Sequence, residues 1–117
     1  MTTTLSKSSY AFAQDQVKKG KVVADQRDEW SEHQPSTRQE NEFIDAHGWD
    51  EYANWHLGVN DEASEHTKAR YTFPFGDFEK VHRCGLLAAE TRAGQNKYGD
   101  IEDAAIRLRE MIDKQEH

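Results

Sequence analysis

The sequence predicts a mainly α-helical protein: a small bundle of about four helices ending in an αα-hairpin, with an extended aromatic connector and a disordered N-terminal tail. Three observations lead there. Ile101, Ala104, Ala105, Leu108, Met111 and Ile112 recur at helical spacing. Ser36 and Gln39 form a capping-box pattern ahead of the run Thr37–His47. Residues 1–36 are polar and show no sustained apolar period, so they cannot bury enough surface to offset their ordering entropy.

Taken in order, the tail spans residues 1–36 and a single helical domain spans 37–117. Within the tail, Ala11–Lys19 and Val22–Trp30 could become transiently helical, or dock through Trp30. The first domain helix, Thr37–His47, stops at Gly48, a natural left-handed cap. A short helix follows from Trp49 to Leu57, with Asp50 and Glu51 in its first turn, where the helix dipole favours acid. Val59–Lys68 reads as an acidic loop. In Tyr71-Thr72-Phe73-Pro74-Phe75-Gly76 the rings alternate, which suits an extended strip, but Pro74 removes a backbone donor and argues for a packed connector over a sheet.

Asp77 is placed to cap a helix over Phe78–Lys97, and Asp100 a second one running to about Asp113. The few residues between them force neighbouring antiparallel helices. Along the first of the two, Gly85, Ala89 and Ala93 repeat every fourth position, a pattern that lets another helix approach closely. His82, Arg92 and Asn96 fall on the same seam. A buried arginine must be paired, and Glu42, Asp45, Asp50 or Glu51 could supply the carboxylate. The alternative is a polar pocket floored by Arg92 and His82, with Asn96 beside them and walls from Tyr71, Phe73, Trp55 and His56.

Composition excludes several classes. Net charge is −7, and residues 1–36 balance at five basic and five acidic side chains, so the excess acid lies beyond them. An acidic surface with no Lys/Arg run repels phosphate backbones and argues against nucleic-acid binding. No apolar stretch is long enough to span a membrane, and the first residues lack the apolar segment of a secretory signal, so the cytoplasm is expected. The lone Cys84 forms no internal disulfide and reads as a small buried hydrophobe. The histidines show no ligand spacing such as H-x-x-x-H, and a mixed site from Glu51, His56 and His82 would need folding to assemble it. No cofactor or metal site is therefore assigned.

The blocks His47-Gly48-Trp49-Asp50-Glu51-Tyr52, Lys68-Ala69-Arg70-Tyr71-Thr72-Phe73-Pro74-Phe75-Gly76-Asp77-Phe78 and Ala88-Ala89-Glu90-Thr91-Arg92-Ala93-Gly94-Gln95 resemble a group of short uncharacterised bacterial proteins over residues 40–113. Residues 68–113 are more loosely similar to helical segments of phage-associated proteins. Neither likeness carries an activity or a site residue. The expectation is a non-enzymatic, cytoplasmic binding or assembly module that binds a protein partner or itself. The rival is a small ligand- or metal-binding protein, conceivably enzymatic, working through Arg92 and His82.

Overall fold

The computed structural model describes residues 3–26 and 29–115, and it corrects the expected class: the fold is α+β. In chain order the elements are β1 (Thr3–Leu5), α1 (Lys7–Lys18), β2 (Val22–Val23), α2 (Trp30–His33), α3 (Thr37–His47), α4 (Trp49–Ala53), β3 (His56–Asn60), β4 (Tyr71–Pro74), β5 (Val81–His82), α5 (Arg83–Gln95) and α6 (Gly99–Gln115). β1, β3 and β4 form an antiparallel sheet with β3 in the centre. β2 and β5 form a separate parallel pair.

The supposed tail is part of the core. Ser6 caps α1 by accepting the Ser9 N–H, and Ser9, Ala13, Gln16 and Val17 make the buried face of the helix. That face has helical spacing, but half of it is polar and one member is alanine, so hydropathy does not register it. Ser9 is satisfied by donating to the Ala53 carbonyl at 2.9 Å, which locks α1 onto the end of α4. Ala13 and Val17 join Leu57, Phe75, Leu86, Ile101, Leu108 and Ile112 in the main cluster.

The central elements also depart from expectation. The helix starting at Trp49 ends at Ala53, and His56–Asn60 turns into the middle strand. The supposed connector is its edge partner, with Pro74 opposite His56 at the end of the pairing. A proline there costs no ladder bond on the open side. The helix expected from Phe78 starts only at Arg83. Asp77 does take two N–H groups, as a cap would, but they are those of Glu79 and Lys80 in a turn. Phe78 within that turn has φ +73°, in the left-handed region, which diverts the chain into β5 instead of a helix.

Two expectations hold in detail. The capping box at α3 is formed in both directions, Ser36 Oγ accepting from Gln39 N at 3.1 Å and Gln39 Oε1 accepting from Ser36 N at 2.8 Å. α5 and α6 pack as an αα-hairpin, with Ile101, Ala104, Ala105, Leu108 and Ile112 buried. The Gly85 position has a different cause from the one expected. A Cβ there would lie 3.0 Å from the Phe75 carbonyl oxygen, so the glycine admits the chain after β4 and not a second helix. Among the described residues, no helix is long and apolar enough to cross a membrane.

Candidate metal centre

The short β2–β5 pair sets Val23 beside His82, so the chain leaving β2 runs alongside the start of α5. α5 needs a cap there. Its N-cap residue, His82, makes no side-chain capping bond, which leaves the first N–H groups without an intrahelical acceptor. Asp25 supplies one: its Oδ1 accepts the Cys84 N–H at 2.7 Å. Its Oδ2 faces His82 Nδ1 at 2.7 Å and His33 Nδ1 at 2.8 Å. Arg83 Nη1 donates to the Asp25 backbone carbonyl at 3.3 Å. Cys84 Sγ lies 3.7 Å from His33 Nδ1.

One donor atom from each of Asp25, His33, His82 and Cys84 thus falls within 4.8 Å of all the others. Asp25, His82 and Cys84 are buried, whereas the His33 side chain is 32% exposed and forms the solvent side of the cluster. Beyond it opens a cleft of about 620 Å³ lined by His33, Phe43, His47, Asp77, Phe78 and Glu79. His82 uses its second nitrogen as well, with Nε2 at 2.8 Å from Asp77 Oδ2.

The electrostatics follow from these contacts. Burial alone would raise the Asp25 carboxyl, but the Cys84 N–H and the bonds from His82, Cys84 and His33 outweigh it and hold the group at about 2. Burial would lower His82, yet the carboxylates of Asp77 and Asp25 on its two nitrogens raise it above the ordinary imidazole value. Burial, and then the Asp25 carboxylate, push the Cys84 thiol well up. A protonated thiol is a poor nucleophile. His33 also turns one and the same nitrogen toward Asp25 and Cys84, so no Cys–His–Asp relay can run through two ring nitrogens. A cation among these donors would change the sign of the local field and favour the thiolate.

The donor set fits such a cation. Two imidazoles, a thiol and a carboxylate suit zinc-like ions and not Ca²⁺ or Mg²⁺, which take oxygen ligands. Tetrahedral zinc with N, O and S ligands separates its donor atoms by about 3.3 to 3.8 Å. The cluster spans that range, from the 2.7 Å His82–Asp25 contact to the 4.8 Å limit of the set, so small side-chain shifts bring it to coordination geometry.

Of the residues singled out from sequence, only His82 belongs to this centre. Arg92 on α5 and Asn96, its C-cap, are exposed, and Asn96 Nδ2 donates to the Arg92 carbonyl. Arg92 borders a shallow groove with Trp30, Gln34 and Phe73, away from the lining of the His33–Asp77 cleft, so the expected inward seam and shared Arg92–His82 pocket do not form. Trp55 and Phe73 are core residues, and Tyr71 packs its ring among Trp49, Tyr52 and His56. His56 is buried, its Nδ1 donating to the Tyr52 carbonyl at 2.9 Å, and it takes no part in a site with Glu51 and His82.

Asp25 and His33 were hidden in the stretch read as tail. Cys84 and His82 stand two residues apart, a spacing that on one continuous helix would set them on different sides. A strand-to-helix junction between them instead lets both point at Asp25. Comparison with protein-family models, with characterised proteins and with solved structures finds no match.

Proposed function

We propose that this protein binds one transition-metal ion of the zinc type through Asp25, His33, His82 and Cys84. The observation that carries the reading is the convergence of four chemically matched donors, from the chain after β2, from α2 and from the β5–α5 junction, on one point. A ligand group assembled from distant segments ties those segments together when the ion binds, because the ligands are brought together only in the folded chain. A network of buried charges is also a costly way to hold a helix start that an ordinary Ser or Asp cap would hold alone.

This reading takes up the rival expectation of a small ligand- or metal-binding protein in place of the favoured assembly module, keeps His82, and moves the rest of the site from Arg92 to Asp25, His33 and Cys84. The thiol ligand suits a reducing compartment, in keeping with the cytoplasm. The four protein donors fill a tetrahedral shell, which favours a structural or metal-handling centre over a hydrolytic one with an open position.

Elemental analysis of protein purified without chelator tests it. Zinc near one equivalent is expected, lost in Cys84→Ser and in His33→Ala while both variants remain folded. Wild-type protein that takes up no metal after dialysis against Zn²⁺, and whose melting temperature ignores both zinc and chelator, would leave Asp25 as a helix cap only.

A further inference from the structure

Asp77 lies outside the ligand set, yet it is built into the same place from the other side of the His82 ring. Its two oxygens have separate tasks. Oδ1 accepts the N–H groups of Glu79 at 3.0 Å and Lys80 at 2.7 Å, and the Asp77 N–H donates to the Lys80 carbonyl at 3.1 Å. The first two bonds fix the side chain to its own turn, and the third closes the turn. Oδ2 is left facing outward and meets His82 Nε2 at 2.8 Å. Gly76 and Val81 form an isolated bridge that closes the turn behind it. Phe78, in the middle of the turn, holds a left-handed φ of +73° and stacks its ring on Phe43 at 4.3 Å. A bulky residue in that conformation costs free energy. The strain is retained in a turn whose main polar product is the orientation of one carboxylate.

We propose that Asp77 is the positioning carboxylate of the metal centre: by taking the Nε2–H of His82 it fixes the ring tautomer and presents Nδ1 to the ion. The inference rests on the metal-binding reading above. Metal-bound histidines commonly donate their other ring N–H to a carboxylate, which orients the ring and raises its basicity as a ligand. Here the two ring nitrogens face different groups. Nδ1 points into the Asp25, His33 and Cys84 cluster, and Nε2 points at Asp77. Asp77 also lines the open cleft, so this outer carboxylate is within reach of solvent while the ring it holds is buried.

Asp77→Asn isolates the effect. The asparagine oxygen still accepts the Glu79 and Lys80 N–H groups, as Asn does in such turns, so the fold of the turn is kept. Its amide then faces His82 Nε2 with a donor in place of an acceptor. Apo protein is titrated with Co²⁺ in competition with a chelator, following the thiolate-to-cobalt absorption. Histidine ring ¹⁵N shifts of the Zn²⁺-loaded protein are recorded in parallel.

In the wild type, His82 is expected to show a metal-bound Nδ1 and a protonated Nε2. In Asp77→Asn the thiolate band persists at full occupancy, but affinity falls by about 10- to 100-fold and the His82 ring signals shift. Wild-type cobalt affinity in the variant, or a His82 bound through Nε2, overturns the role of Asp77 and leaves the metal centre standing. A wild-type protein that binds no cobalt overturns both. Circular dichroism and the urea midpoint of the apo variant decide whether lost affinity reflects a lost fold: a midpoint close to wild type with weakened cobalt binding supports the proposal, and a collapsed midpoint refutes it in favour of a purely structural turn.

Discussion

The Asp25 carboxylate caps a helix from 59 residues away, its Oδ1 accepting the Cys84 N–H at 2.7 Å. The same group meets both histidines, so its loss leaves the buried His82 Nδ1 and a helix N–H without their acceptor at once. Asp25→Ala should destabilise the apo protein by about 3 kcal/mol, because removing one partner of a buried charged network exposes the desolvation cost of the other. Urea unfolding with chelator present reads this contribution separately from any metal. A loss below about 0.5 kcal/mol, the size of an ordinary surface substitution, would show that the network does not hold α5.

Gly76 is demanded by close packing and not by backbone conformation. A Cβ there would stand 2.5 Å from two ring carbons of Trp55 and 2.7 Å from the Lys80 carbonyl oxygen. Trp55 is only 5% exposed and has nowhere to go. Gly76→Ala should therefore cost about 3 kcal/mol by overpacking. Gly99, whose added Cβ would meet nothing within 4 Å, is the control. Gly99→Ala should be neutral or slightly stabilising, since it removes backbone freedom from the unfolded chain. Thermal melts of the two variants check the contrast, and equal shifts would refute the packing account.

What was legible in the sequence were the elements whose buried faces are apolar or whose caps are local. α6 buries Ile101, Leu108 and Ile112, and α3 carries its whole capping box within four residues. What was not legible depends on partners far along the chain. α1 buries Ser9 and Gln16, and the Ser9 hydroxyl is satisfied by a tertiary bond to the Ala53 carbonyl. β2 is two residues long and exists only because β5 lies beside it. The Asp77 turn imitates a helix start, and only the left-handed Phe78 separates the two outcomes. The candidate metal centre combines all three blind spots: one donor residue after a two-residue strand, another on a four-residue helix, and two on either side of a misplaced helix boundary.

His56 makes the stability pH-dependent in a definite direction. Burial lowers its imidazole to about 4, with the Nδ1 bond to the Tyr52 carbonyl opposing only part of the effect. The groups facing it are Tyr52, Tyr71 and, across a small cavity, Glu40. A folded-state value below the unfolded 6.5 means that the unfolded chain takes up the proton first. The contribution is complete above pH 6.5 and is lost as pH falls from there through about 4, reaching about 3 kcal/mol at the acid end. His56→Gln, which cannot titrate, should flatten this part of the profile in urea unfolding series between pH 7 and 4. An unchanged slope in the variant would assign the acid loss to other groups.

Lys97 offers a gain in stability, because the chain places a side-chain-bearing residue where glycine serves better. α5 ends in a Schellman arrangement, Tyr98 N donating to Ala93 O at 2.9 Å and Lys97 N to Gly94 O at 3.3 Å. That motif needs a left-handed residue after the helix cap, and the chain uses Lys97 there at φ +62°. A side-chain-bearing residue in this region costs about 1 to 2 kcal/mol relative to glycine. Glycine gives part of that back through its larger entropy in the unfolded chain. Lys97 is exposed and makes no core contact, so nothing is lost with its side chain. Lys97→Gly should therefore stabilise the protein by about 0.5 to 1 kcal/mol, which for a domain of this size raises the melting temperature by a few degrees. A lowered melting temperature would mean that the Lys97 side chain holds something the αL geometry does not reveal.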